Sequence, residues 1–134
     1  MSATMSIRTE LDIVRVRQAT RRAAVTAGFS LVEQTKLVTA AEELARNTLV
    51  HGGGGQVHVE LVADTPTVRL TFVDSGPGIS DVDQALVDGF TTSSGPGLGL
   101  GGARRLVDEF TIDSTPGHGT TVVVSCTSDT GHAP

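Results

Sequence analysis

The chain has 134 residues, a formal net charge of −5 and a single cysteine, Cys126. This length suits one domain that buries roughly two thirds of the surface its unfolded chain exposes. The acidic balance and the presence of only one lysine, Lys36, argue against a nucleic-acid surface. One cysteine excludes an internal disulfide and a cysteine-based zinc site. Because the chain has no apolar run of about 18 residues and no signal-peptide pattern, we expect a cytoplasmic protein without a membrane partner.

A short edge strand over residues 5–10 and a helix over 13–27 are predicted at the start of the chain. Asp12 is the expected N-cap of this helix, and Gly28 follows as its stop. One face of the helix is apolar, whereas four arginines lie elsewhere on it: Arg15, Arg17, Arg21 and Arg22. Exposed charge on a helix is ordinary, so we interpret the arginines as solvated or as facing a partner.

A second helix has the clearest boundary signals. Ser30 and Glu33 have the spacing of a capping box, and the helical spacing of apolar residues continues to about Val50. Glu43 and Asn47 lie four residues apart at the border of the apolar face, so they project together. Taken alone, the pair is also typical of an exposed hydrogen-bonding pair.

Glycines follow directly after a predicted strand. Alternating apolar residues predict an antiparallel hairpin of strands 56–63 and 68–73. The second strand ends on Asp74, and Gly76 and Gly78 complete a D-x-G-x-G pattern. Such glycines provide backbone freedom at positive φ and let a flat ligand approach the main chain.

A second glycine cluster, Gly97-Leu98-Gly99-Leu100-Gly101, opens a predicted helix over 98–109. Backbone N–H groups at a helix N-terminus favour phosphate. Before the cluster we expect a short helix over 82–87 and a polar loop over 89–97, of the kind that moves over a ligand. Its composition is equally that of an ordinary surface loop. A carboxylate at a strand end and an anion cradle together indicate a nucleotide site.

The last predicted elements are two strands, 111–114 and 120–125, which form a second hairpin. The order of elements predicts an α/β two-layer sandwich, with a mixed or antiparallel sheet and helices on one face. We expect one domain over 1–134, with a core of about 7–125 and a flexible tail over 126–134.

Three other phosphate-binding patterns fit poorly. A P-loop is excluded because no glycine precedes a lysine. Gly97, Gly99 and Gly102 match G-x-G-x-x-G by spacing, but polar residues and a proline precede them instead of a buried strand. The chain also lacks the H-R-D loop of eukaryotic protein kinases.

The remaining pattern is E-x-x-x-N on a helix, D-x-G-x-G after a strand, G-x-G-x-G before a helix and G-T in the closing hairpin. This order, spanning Glu43 to Thr120, resembles the GHKL ATPase superfamily, whose members share the Bergerat ATP-binding fold. Within it, the segments Glu43-Leu44-Ala45-Arg46-Asn47 and Arg105-Leu106-Val107-Asp108-Glu109-Phe110 resemble the stand-alone switch-protein serine/threonine kinases, the RsbT-like members of the RsbW/SpoIIAB group.

The resemblance implies a role for each matching residue. Glu43 would be the general base, and Asn47 would hold magnesium. Asp74 would accept a hydrogen bond from the adenine amino group, while Gly78, with Gly76 before it, would let the ring approach. Thr120 would share a water with Asp74.

The resemblance also implies an ATP lid over the loop 89–97. Phosphate contacts would come from the lid and the glycine cluster, namely Thr91, Thr92, Gly97, Leu98, Gly99, Leu100 and Gly101. Arg104 or Arg105 would help to offset the phosphate charge, because the lid has no lysine.

The implied activity is an ATP- and magnesium-dependent protein serine/threonine kinase acting on a STAS-domain regulator, either an anti-sigma antagonist or a stressosome component. A PP2C-type phosphatase or a sigma factor would be a further partner, and the resemblance allows a homodimer. The alternative is a nucleotide-gated binding regulator with little kinase activity. A third hypothesis is that the glycines are structural and no nucleotide binds.

Overall fold

The computed structural model describes residues 2–62, 64–79, 82, 86, 91–92, 95–96 and 100–128, and for 91–92 and 95–96 it describes the backbone. Among these residues there are seven strands and three helices. In chain order they are β1 Ser2–Ile7, α1 Glu10–Thr26, α2 Leu31–Val50, β2 Gly55–Val62, β3 Thr67–Asp74, β4 Thr91–Thr92, β5 Gly95–Pro96, α3 Leu100–Leu106, β6 Glu109–Ser114 and β7 Thr120–Thr127.

Five strands form one sheet in the order β1-β2-β3-β7-β6, and every neighbouring pair is antiparallel. Alternate residues of β2, β3 and β7 are buried against α1 and α2, including Val57, Phe72 and Val124. Most of their neighbours on the opposite face are half-buried, and some, such as Arg69, are exposed. The α/β two-layer sandwich is therefore confirmed, with an antiparallel sheet. The strands β4 and β5 form a separate two-residue pair.

Helix α1 begins three residues earlier than predicted, because Thr9 is its N-cap. The Asp12 carboxylate instead accepts the backbone N–H groups of Arg8 at 2.8 Å and Thr9 at 3.1 Å, as the third residue of a capping box. The hydrogen bond from the Arg8 N–H is the largest influence that lowers the pKa of Asp12. The sequence interpretation of Asp12 as the cap was wrong, since Thr9 also suits that position.

Some of the α1 arginines are used within the domain. Arg17 forms an ion pair with Glu42 on α2 at 3.2 Å, and Arg21 donates to Gln34 at 3.0 Å. All four arginines are exposed, as predicted, and these two also join α1 to α2.

The last helix is shorter than the predicted span 98–109, because α3 ends at Leu106. The Asp108 N–H donates to the Ser125 carbonyl at 3.0 Å, and the Asp108 carboxylate accepts the Thr127 N–H at 2.8 Å. Residue Glu109 already pairs with Ser125 in the sheet. Strand pairing thus replaces the last helical turn, although the apolar spacing suits a helix.

Strands also extend beyond the predicted core boundaries of 7 and 125. The first strand, β1, spans Ser2–Ile7 and pairs with β2. The predicted edge strand therefore exists, but it lies three residues earlier than the predicted span 5–10. Strand β7 continues to Thr127, which pairs with Thr67. Both extensions arise because the partner strands are long enough to offer backbone groups to them.

Two predicted features lie largely or wholly outside the described residues. They are the helix over 82–87, where the Leu86 N–H donates to the Val82 carbonyl at 3.0 Å, and the terminal residues 129–134. Within the part of the chain that the structure describes, no helix has the length and apolar character needed to cross a membrane.

Candidate functional site

Helix α2 holds Glu43 and Asn47 one turn apart. Its predicted capping box is confirmed: the Ser30 N–H donates to Glu33 at 2.7 Å, and the Glu33 N–H donates to the Ser30 hydroxyl at 3.1 Å. The apolar face that points to the sheet is buried, as Leu44 illustrates. This burial and the cap fix the helix and therefore the directions of both polar side chains.

Glu43 is half-buried and lines an open cavity of about 530 Å³. The other lining residues come from one turn earlier on α2 and from α3: Thr39, Gly102, Arg105 and Leu106. Of the two arginines predicted as helpers, Arg105 lies at this cavity, while Arg104 is exposed on the same helix. The arrangement gives the Glu43 carboxylate a space that a second molecule can enter.

Asn47 is only 8% exposed, and its side-chain oxygen Oδ1 has no hydrogen-bond partner among the described residues. An unpaired buried carbonyl oxygen is costly. Amide oxygens are among the ligands that magnesium takes. The site therefore fits a magnesium ion at Asn47. Few protein ligands would hold it, because within the described ranges no cluster of three or more His, Cys, Asp or Glu side chains suits a metal.

Asp74 is the last residue of β3, where it pairs with Gly55 on β2 and Thr120 on β7. Its oxygen Oδ1 accepts the Gly76 N–H at 2.9 Å. The second oxygen, Oδ2, accepts no hydrogen bond from the residues that the structure describes, and the residue is 9% exposed. The carboxylate thus has a fixed direction and one free acceptor.

The β6–β7 hairpin contributes a residue that the sequence analysis missed. The Ser114 hydroxyl accepts the Ile79 N–H at 2.8 Å and lies 2.8 Å from the Thr120 hydroxyl. It also contacts the Gly119 carbonyl at 3.2 Å. Ser114 faces Thr120 across the hairpin, so the register of the two predicted strands was the signal that pointed to it.

The glycines of the D-x-G-x-G pattern have different reasons for being glycine. Gly78 has a φ of +77°, as predicted, and a Cβ there would lie 2.8 Å from the Thr115 carbonyl carbon. Gly76 does not have positive φ, so that expectation was wrong. A Cβ at Gly76 would instead lie 2.7 Å from the Gly52 oxygen.

The second glycine cluster is described only at its end. Leu100 begins α3 with a fully buried side chain, and Gly101 is buried beside it. Thr91 and Thr92 form β4. The remaining predicted phosphate contacts, Gly97, Leu98 and Gly99, lie outside the described residues.

Comparison with known proteins identifies the family of the chain. Residues 32–130 match the family model described as histidine kinase-, DNA gyrase B- and HSP90-like ATPase. The chain is 46% identical over 118 residues to the serine/threonine-protein kinase RsbT of Bacillus subtilis (strain 168), which covers 87% of this chain and 89% of the relative. It is also 33% identical over 97 residues to an anti-sigma F factor of Bacillus licheniformis, covering 67% of this chain and 66% of that protein.

A solved structure, that of the RsbU and RsbW domains of a Mycobacterium tuberculosis protein, has the same fold. The TM-score is 0.64 at 23% identity, covering 94% of this chain and 31% of the other. The family match and the RsbT relative confirm the family and the enzyme class that the motifs predicted. The chain therefore belongs to the histidine kinase-, DNA gyrase B- and HSP90-like ATPase family, among its serine/threonine-protein kinases.

Proposed function

We propose that the protein transfers the γ-phosphoryl group of ATP to a serine or threonine of a STAS-domain regulator, in a partner-switching pathway that controls a sigma factor or a phosphatase. One observation carries the proposal. Glu43 lines an open cavity and lies one helical turn from Asn47, whose buried oxygen has no partner within the described part of the chain.

Asn47 is the proposed magnesium ligand. A magnesium ion held there would offset the negative charge of the nucleotide phosphates. Asn47 supplies one neutral oxygen, and because the side chain is buried, the helix fixes its direction. Because the described residues offer no acidic cluster nearby, phosphate oxygens and water would complete the coordination.

Glu43 is the proposed general base. Its carboxylate would take the proton of the substrate hydroxyl as the new oxygen–phosphorus bond forms and the bond to the ADP oxygen breaks. A rigid helix favours this role, because a base must stay within hydrogen-bond reach of the proton it removes. The open cavity at Glu43 gives the substrate hydroxyl a route to the carboxylate.

Asp74 is the proposed adenine contact. The Gly76 N–H holds Oδ1, which leaves Oδ2 to accept the exocyclic amino group of adenine. Guanine has a carbonyl oxygen at that ring position, so it would face the carboxylate with an acceptor. Thr120, the strand neighbour of Asp74, would share a water with it, and Gly78 would border the ring.

For the phosphates we propose the lid threonines, Thr91 and Thr92, and the backbone of residues 97–101. Backbone N–H groups suit this use because they carry partial positive charge without a mobile side chain. Arg105 is the better placed of the two arginine helpers, since it lines the cavity with Glu43.

A second candidate function is nucleotide-gated binding with little phosphoryl transfer. The similarity to an anti-sigma F factor favours it, because the name of that relative describes a regulator of a sigma factor. The candidate partners are then a sigma factor or a PP2C-type phosphatase. The presence of Glu43 favours the kinase, since a protein that only binds does not need a base.

A panel of STAS-domain proteins incubated with the protein, ATP and magnesium tests the proposal. We expect phosphate on a serine or threonine of at least one panel member, located by mass spectrometry, and none when magnesium is removed. Stable complexes with a panel member, a sigma factor or a phosphatase without any transfer would contradict the kinase proposal and support the second candidate.

A further inference from the structure

The turn after α2 lies directly against Asp74. The backbone carbonyl of Asn47 accepts both the His51 N–H at 3.0 Å and the Gly52 N–H at 3.1 Å. A Cβ at Gly52 would lie 2.6 Å from both Cβ and Oδ2 of Asp74. Real Cβ atoms essentially never approach other atoms within 3.0 Å, so the carboxylate keeps its place only because residue 52 is glycine.

Gly52 also packs against Gly76. A Cβ at Gly76 would lie 2.7 Å from the Gly52 oxygen and 2.8 Å from its Cα. The Gly76 N–H in turn donates to Oδ1 of Asp74 at 2.9 Å. The Asp74 carboxylate therefore accepts a hydrogen bond from the Gly76 N–H and lies against the backbone of Gly52.

From these contacts we propose that Gly52 is a positioning residue for nucleotide selection. By holding the Asp74 carboxylate at a fixed place relative to Asn47, it makes the site prefer adenine over guanine. The inference rests on the proposed function for the identity of the ligand: it takes Asp74 as the adenine contact and Asn47 as the metal contact.

The physical basis is the sensitivity of a charged hydrogen bond to geometry. A methyl group at residue 52 must push the carboxylate away or move the turn, and either change separates Oδ2 from the amino group it would contact.

The chain offers a matched control in the same turn. Gly53 has a φ of +74°, and a Cβ there would meet nothing within 4 Å. Gly53→Ala therefore adds the same methyl group to the turn without touching Asp74, and it also adds the strain of a side chain at positive φ. Any effect that Gly52→Ala shows and Gly53→Ala lacks is due to contact, and not to strain in the turn.

The first experiment needs no nucleotide. Thermal unfolding is measured for Gly52→Ala in the wild-type and in an Asp74→Gly background, which removes the Cβ and carboxylate that the new methyl would meet. We expect Gly52→Ala to lower the melting temperature by several degrees in the wild type and by much less in Asp74→Gly. Equal losses in both backgrounds would overturn the proposed contact.

The second experiment compares the affinities of wild type, Gly52→Ala and Gly53→Ala for magnesium ATP and magnesium GTP. We expect Gly52→Ala to weaken ATP binding about ten- to a hundredfold, as for loss of one charged hydrogen bond, with GTP binding little changed. Gly53→Ala should retain the preference for ATP. The inference would be overturned if Gly52→Ala kept the wild-type ratio of the ATP and GTP affinities. It would also be overturned if the wild type showed no preference for ATP over GTP.

Failure of the proposed function gives a different pattern. If the wild type prefers ATP over GTP but transfers no phosphate, the kinase proposal fails and the role of Gly52 in selection stands. If phosphate is transferred with equal use of ATP and GTP, the kinase proposal stands and the role of Gly52 fails.

Discussion

The two halves of the candidate site are built differently. Glu43 and Asn47 lie one turn apart on α2, a capped helix of 20 residues. Asp74 depends instead on the end of β3, the turn after α2 and the β6–β7 hairpin. The helix half therefore needs only local structure and a buried face, whereas the strand half needs three segments in register. We expect substitutions in the helix half to affect chemistry, and those in the strand half to affect nucleotide choice and stability.

Glu43→Gln should have the largest effect, because it removes the proposed base and keeps the size of the side chain. We expect the rate of transfer from radiolabelled ATP to the STAS substrate to fall about a hundredfold to ten-thousandfold, with ATP affinity retained. Glu42→Gln is the matched control, since Glu42 pairs with Arg17 instead of lining the cavity. Equal losses in the two variants would contradict a specific role for Glu43.

Asn47→Leu tests whether the unpaired oxygen serves the ligand. Replacing a buried polar group that lacks a partner with an apolar one of similar size is neutral or stabilising, so the ligand-free melting temperature should stay or rise. The gain in ADP affinity on adding magnesium should fall about tenfold, as for one good polar contact. A large loss of stability with an unchanged magnesium effect would mean that Asn47 is purely structural.

Ser114→Ala examines the strand half at the hairpin. The change leaves the Ile79 N–H and the Thr120 hydroxyl without a partner, so the free energy of unfolding should fall by about 1–3 kcal/mol. Urea unfolding measures this loss, and Ser6→Ala, an exposed serine on β1, is the control. Equal unfolding midpoints in the two variants would show that the Ser114 contacts do not support the hairpin.

The smallest effect concerns Asp12, in the first turn of α1. Its lowered pKa means that its stabilisation is present above the ordinary value of 3.8 and is lost as pH falls through the folded-state pKa. Asp12→Ala should thus lower the melting temperature at neutral pH, with the difference from wild type disappearing in strong acid. A difference that persists at low pH would assign the stabilisation to packing instead of the ionised carboxylate.

The same contrast explains what could be predicted from the sequence. The spacing of Glu43 and Asn47 is a local pattern, and helical periodicity with a capping box places both on one helix. Ser114 follows only from the register of the β6–β7 hairpin. Gly52 matters because the turn after α2 meets Asp74, which is distant in sequence, and that contact leaves no mark in local spacing. The end of α3 was misplaced for a related reason, since pairing of Glu109 with Ser125 overrides a helical pattern.

The most direct test of the two-part site is a crystal structure of the protein with magnesium and a non-hydrolysable ATP analogue. We predict that Oδ1 of Asn47 lies about 2.1 Å from the metal, the usual distance for magnesium and oxygen. Oδ2 of Asp74 should accept the adenine amino group, and Glu43 should face the γ-phosphate from its cavity. A nucleotide bound away from Asp74, or a metal bound without Asn47, would contradict the account.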